Sequence, residues 1–168
     1  MGHTTVFAGQ FDLNKRLDDN TYNLLNGLAN TRRMKRDINE SLYGVDGEFY
    51  IGGKGFRGQG YEDNVIDSNS PPDTQPSLWL QWIPTENRMS IIWDGNEKFY
   101  SSAKWIRYLI DTILMPRGYV INGVVNAEGE DGYEYHIKVT HNIVIDRDGF
   151  HNGEYPNWEA WSKERYGF

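Results

Sequence analysis

Residues 52–60, Gly52-Gly53-Lys54-Gly55-Phe56-Arg57-Gly58-Gln59-Gly60, set five glycines around two cations and an amide. Glycine lets successive backbone N–H groups turn toward one point, and Lys54 and Arg57 would neutralise an anion held there. The chemistry suggested is capture of a phosphate, free or carried by a nucleotide. No Gly-Lys-Ser/Thr follows at the spacing of a Walker loop, and the segment does not open a helix as a dinucleotide fingerprint does. A plain surface loop explains the same glycines. A second cationic group, Arg32-Arg33-Met34-Lys35-Arg36, has four positive side chains in five positions. It falls at the end of an expected helix, where positive charge offsets the negative end of the helix dipole without any ligand. If the glycine loop folds over that end, Lys54, Arg57 and Gln59 share one basic pocket with Arg32, Arg33, Lys35 and Arg36.

The aromatic residues offer a different kind of site. Trp79 and Trp82 lie on one expected strand and Trp93 on the next. Alternation sends Trp79 and Trp82 to opposite faces of a regular strand, so one is expected in the core, and for the other the alternatives are core or edge packing and exposure on the open face of the sheet. An exposed tryptophan there stacks on a base or anchors a protein partner. The carboxylates are less informative. Asp94 and Glu97 read as the cap and first turn of a helix, and Glu128, Glu130 and Asp131 as solvated turn residues, so no catalytic residue is assigned. His3, His136, His141 and His151 lack metal-ligand spacing, no serine sits in a nucleophile elbow, and neither a metal nor a cofactor is expected.

Composition narrows the function classes. Seventeen Lys and Arg against 24 Asp and Glu leave a net charge of −7, which repels duplex DNA on average and suits docking to a basic surface of a protein partner. There is no cysteine. Disulfides, thiolate metal sites and cysteine nucleophiles are therefore excluded, and a reducing, cytoplasmic setting is the natural reading. No export signal and no apolar run long enough to span a bilayer is present, so no membrane association is expected.

The elements that must position these residues follow from periodicity. Thr5, Phe7, Gly9, Phe11 and Leu13 alternate with Thr4, Val6, Ala8, Gln10 and Asp12, which reads as an opening strand. Asp18-Asp19-Asn20 then supplies helix-start acceptors, and Tyr22, Leu25, Leu28 and Ala29 predict a helix from about Asp19 to Arg33. Glu48-Phe49-Tyr50-Ile51 is a short strand candidate after the Gly44–Gly47 turn. The glycine-rich and proline-bearing stretch between Gly52 and Pro76 reads as a long loop. Ser77–Ile83 and Met89–Trp93 predict an antiparallel pair. Phe99, Ala103, Ile106, Ile110 and Ile113 predict a second helix over about Glu97 to Met115, ended by Pro116 and Gly118. Tyr119–Val125 returns as a strand, and Tyr133, Tyr135, Ile137 and Val139 alternate outward along the next. Ile143-Val144-Ile145 follows a tight His141-Asn142 turn.

The expected fold is thus α+β, a mostly antiparallel sheet of about six strands with two helices packed on one face, in the order β-α-β-β-β-α-β-β-β. Residues 1–149 form one domain, and 150–168 are a C-terminal tail with a short docked helix around Trp158 to Arg165 or a frayed end.

The blocks Thr31-Arg32-Arg33-Met34-Lys35-Arg36-Asp37, Gly47-Glu48-Phe49-Tyr50, Pro71-Pro72, Gln75 through Glu86, Trp93-Asp94-Gly95, Glu97-Lys98-Phe99-Tyr100 and Gly129-Glu130-Asp131 resemble a widespread family of hypothetical proteins of bacteria and their phages. That resemblance covers about residues 4 to 146 and brings no established activity. It implies a phage association and a host-directed or anti-defence role. The expected function is that of a non-enzymatic binding protein, and the alternative is a binder of, or enzyme acting on, a phosphate-bearing small molecule or nucleotide.

Overall fold

The computed structural model describes residues 4–52, 59–130, 132 and 134–145. The tail expected over 150–168 and its helix around Trp158 lie outside these residues.

Six strands build the main sheet: β1 (Thr5–Leu13), β4 (Trp82–Pro84), β5 (Ser90–Trp93), β6 (Ile121–Gly129), β7 (Glu134–Thr140) and β8 (Ile143–Ile145). Their order is β4-β5-β1-β6-β7-β8, and every neighbouring pair is antiparallel. The opening strand is therefore central, flanked by β5 and β6. Alternation turns Phe7, Phe11 and Leu13 of β1 inward, together with Ile121, Val125 and Ala127 of β6. Ile137 and Val139 also face the core, which reverses the outward orientation read from the sequence. Their Cα partners Val125 and Gly123 share the inward side of β6, and period two leaves them no other face.

At the middle of the sheet, β1 and β6 approach closely. A Cβ on Gly123 (φ +155°) would lie 2.3 Å from the Gln10 carbonyl oxygen, and one on Gly9 (φ +116°) 2.5 Å from that of Val124. Only glycine fits either position.

Helix α1 (Asp19–Ala29) begins where Asp18 accepts a hydrogen bond from the Thr21 N–H at 2.7 Å. It buries Leu25, Leu28 and Ala29 on the core face of the sheet. The helix stops at Asn30 instead of running to Arg33, because the following residues turn inward and Arg33 is itself buried. Helix α3 (Ser102–Leu109) continues through a wider π turn (Ile110–Leu114) and a 3₁₀ turn (Met115–Arg117) to Gly118, φ +82°. Its start at Ser102 rather than Glu97 has a local cause. Asp94 closes a turn onto the Asn96 N–H (2.8 Å) instead of capping a helix, and Gly95, Lys98 and Ser101 all take positive φ. Phe99 leaves this loop to pack between Phe7 and Trp82, at centroid distances of 5.7 and 5.2 Å.

Two further expectations change. Glu48-Phe49-Tyr50-Ile51 is no strand, since a one-turn helix α2 (Glu40–Tyr43) and a 3₁₀ turn (Val45–Gly47) carry the chain through tight bonds such as Tyr50 N–H to the Gly47 carbonyl, 2.9 Å. The stretch read as a long loop holds a 3₁₀ turn (Gln59–Tyr61) and strand β3 (Val65–Asp67), which pairs with β2 (Lys35–Arg36) in a separate two-stranded sheet. The turn between β7 and β8 matches its reading. His141 and Asn142 both have positive φ (50° and 67°), as a two-residue hairpin requires.

Candidate functional site

The basic run lies where α1 ends and the small sheet begins, and most of its hydrogen-bonding capacity is turned inward. Arg33 is 4% exposed. Its Nε donates to Gln75 Oε1 (2.8 Å), Nη1 to the Tyr50 carbonyl (2.6 Å) and Nη2 to the Gly47 carbonyl (2.7 Å). Burial lowers its pKa to about 10, which still leaves the guanidinium protonated at neutral pH with its donors on three acceptors. Arg36 donates to Asn64 Oδ1 (2.9 Å), reaches Glu62 Oε2 at 3.4 Å and stacks over the Tyr50 ring at 4.8 Å. Arg32 Nε donates to the Ser68 carbonyl at 2.9 Å. Lys35 is half-buried in β2 opposite Asp67. The Asp67 carboxyl is held below its usual range, mainly by the Asn69 N–H and less by Ser70 and Lys35.

Gln59 performs a similar task. Its Oε1 accepts from the Arg32 N–H (2.8 Å) and its Nε2 donates to the Asn30 carbonyl (3.1 Å), so the side chain closes the backbone just past α1. Lys54 and Arg57 lie outside the described residues. The structure thus gathers Arg32, Arg33, Arg36 and Gln59 in one place, as a clamp joining the end of α1 to Gly47, Tyr50, Glu62, Asn64, Ser68 and Gln75.

The tryptophans part company. Trp82 is wholly buried, edge-on to Phe7 and Phe11, with its indole N–H on the Ser102 carbonyl at 2.9 Å. Trp79 precedes β4 and is half-buried in the wall of a groove of about 470 Å³. Pro71, Pro76, Leu78 and Tyr100 complete the apolar lining, Tyr100 being 52% exposed, and Glu97 and Lys98 stand at the rim.

The groove is built rigidly. One wall is loop 94–101, where the two non-glycine residues Lys98 and Ser101 both hold φ +59°. Such conformations cost about 1–3 kcal/mol each and persist only where surrounding structure enforces them. Here the enforcement is visible. Trp93 Nε1 donates to the Asn96 carbonyl (3.1 Å), Gln81 Nε2 to that of Glu97 (3.3 Å) and Ser77 Oγ to that of Tyr100 (3.3 Å). Trp105 Nε1 fixes Ser77 Oγ from below at 2.6 Å. Of the indole N–H groups, that of Trp93 bonds this loop directly, that of Trp82 bonds Ser102 at the start of α3, and that of Trp105 holds Ser77.

Sequence reasoning found Trp79 but missed Tyr100 and the prolines. Their signal was Pro71 and Pro76 closely preceding Trp79, together with a second aromatic, Tyr100, placed directly beside the core residue Phe99. Of the carboxylates singled out in the sequence, Glu97 stands at the rim of this groove, Glu128 is exposed on β6, and Asp131 lies outside the described residues. Among the described residues, no cluster of three His, Asp or Glu side chains could hold a metal ion, and no helix is long and apolar enough to cross a membrane. No family model, curated protein or solved structure matches this chain at a significant level.

Proposed function

We propose that this is a non-enzymatic binding protein that seats an extended segment of a protein partner in the Trp79–Tyr100 groove. The observation that carries the reading is the wall of that groove, an aromatic and proline-lined cleft whose positive-φ loop is held by hydrogen bonds from Trp93, Gln81 and Ser77. Aromatic surfaces give large contact area with little side-chain entropy to lose, and a pre-formed cleft lowers the ordering cost of binding. Grooves of this composition accept extended or polyproline-like peptides. The resemblance of the sequence blocks to phage-borne proteins supports a host protein as the partner and a host-directed, anti-defence role. The nucleotide reading draws less support, because Arg33, Arg36 and Gln59 point their donors and acceptors at the protein itself.

The test is capture from host lysate at low and high salt, followed by affinity measurement with purified partner. Tyr100→Ala and Trp79→Ala are expected to weaken binding at least about tenfold, the effect of losing an aromatic anchor of roughly 1.4 kcal/mol or more. Tyr61→Ala, at a side chain 93% exposed elsewhere, should leave affinity unchanged. Failure to recover any stoichiometric partner, or equal affinity of wild type and Tyr100→Ala, removes the reading.

A further inference from the structure

Both main helices cover one face of the large sheet, and no described element lies over the other. On that uncovered face Val6 is 56% exposed, Val124 42% and Ile143 49%. Pairing arranges part of this apolar surface in a line. Ile83 of β4 is opposite Ile92 of β5. Extending the β1–β5 register by one residue sets Ile92 beside Gln10. Gln10 pairs with Val124, Val124 with Lys138, and Lys138 with Ile145. Four aliphatic residues therefore share one row across all six strands, with Ile83 at the β4 edge also packed against the core, and with Gln10 and the long, partly apolar stem of Lys138 between them. Beside the row, between Val6, Ala8, Asn126, Glu128 and His136, is an open hollow of about 510 Å³, large enough for an indole ring.

A stripe of this kind on a solvent-facing sheet marks something that rests on it. The row ends at Ile145, the last residue of β8, and the chain continues from that point into residues 146–168. That segment carries Phe150, Tyr155, Trp158, Trp161, Tyr166 and Phe168. Six strands at ~4.8 Å spacing make the row about 24 Å long, which a chain spans with roughly eight extended or sixteen helical residues. We propose that residues 146–168 fold back across this face and seat their aromatic side chains on the Ile83–Ile92–Val124–Ile145 row. The contact is intramolecular and independent of the Trp79–Tyr100 groove.

The chain lacks cysteine, so a single spin label can be placed cleanly. With a nitroxide on Val124→Cys, amide resonances of residues 150–168 in the full chain are expected to lose more than half their intensity, to the same extent at every protein concentration. Thr140→Cys, exposed on the same face beside the row, should give the same pattern without a label on the row itself. Adding Trp158→Ala and Trp161→Ala should restore the intensities. Broadening that grows with protein concentration would assign the face to a second copy of the chain and overturn the proposal. Tail resonances untouched by either label would overturn it as well.

Discussion

Arg33 shows how far a residue's type can mislead about its task. Four cations in five positions suggest an anion site, but a guanidinium presents five donors in a fixed plane, and at Arg33 that plane meets two backbone carbonyls of one turn, Gly47 and Tyr50, and the amide of the distant Gln75. A lysine cannot reproduce the fork. Arg33→Lys is expected to leave buried acceptors unmatched and to lower stability by about 2–4 kcal/mol, read as a drop in the urea midpoint with an unchanged m-value. A variant as stable as wild type would show that these bonds hold little together. Arg32 and Lys35, which are only half-buried, should tolerate the same kind of change far better. Tyr108 lies near this cluster, and burial pushes its phenol well above the usual range despite the opposing effect of Arg33, so it stays neutral at any ordinary pH.

At the scale of elements, the junctions carry the information. Helix α1 starts at Asp18, whose carboxyl is held below its ordinary 3.8 chiefly by the Thr21 backbone N–H, with Tyr119 and Arg117 adding smaller effects. A depressed folded pKa means stability that is complete above the unfolded value and is lost as pH falls through the folded one. Asp18→Asn keeps a capping oxygen without the charge. Its stability deficit relative to wild type should therefore be constant above pH about 5 and disappear as wild type is acidified below 3.8. Asp18→Ala, which removes the cap as well, should cost about 1 kcal/mol at neutral pH. A deficit for Asp18→Asn that persists at pH 2 would place the effect elsewhere. Loop 94–101 is the converse case. Its sequence offers a good helix start, but the burial of Phe99 and the hydrogen bonds from Trp93, Gln81 and Ser77 outweigh that local preference, and the groove wall results.

For the whole molecule, the central pairing of β1 with β6 joins residues 5–13 to 121–129, so neither half of the chain owns a complete sheet. Unfolding should be a single event. Far-ultraviolet circular dichroism and tryptophan fluorescence are expected to give coincident urea transitions, and separated midpoints would reveal two independent units. The amino-acid sequence by itself determined the α+β class, the antiparallel six-strand count, both long helices and the tight His141-Asn142 turn. Each of these rests on side-chain period or on dihedral preference within a few residues. Only the tertiary structure decided that the opening strand is central, that Arg33 and Gln59 serve as internal clamps, that β2 and β3 form a second sheet, and that Trp79 and Tyr100 face one groove. These depend on contacts between residues far apart in the chain. Period and propensity say which way a side chain points from its own strand or helix, whereas its neighbours there are chosen by how distant segments exclude water together.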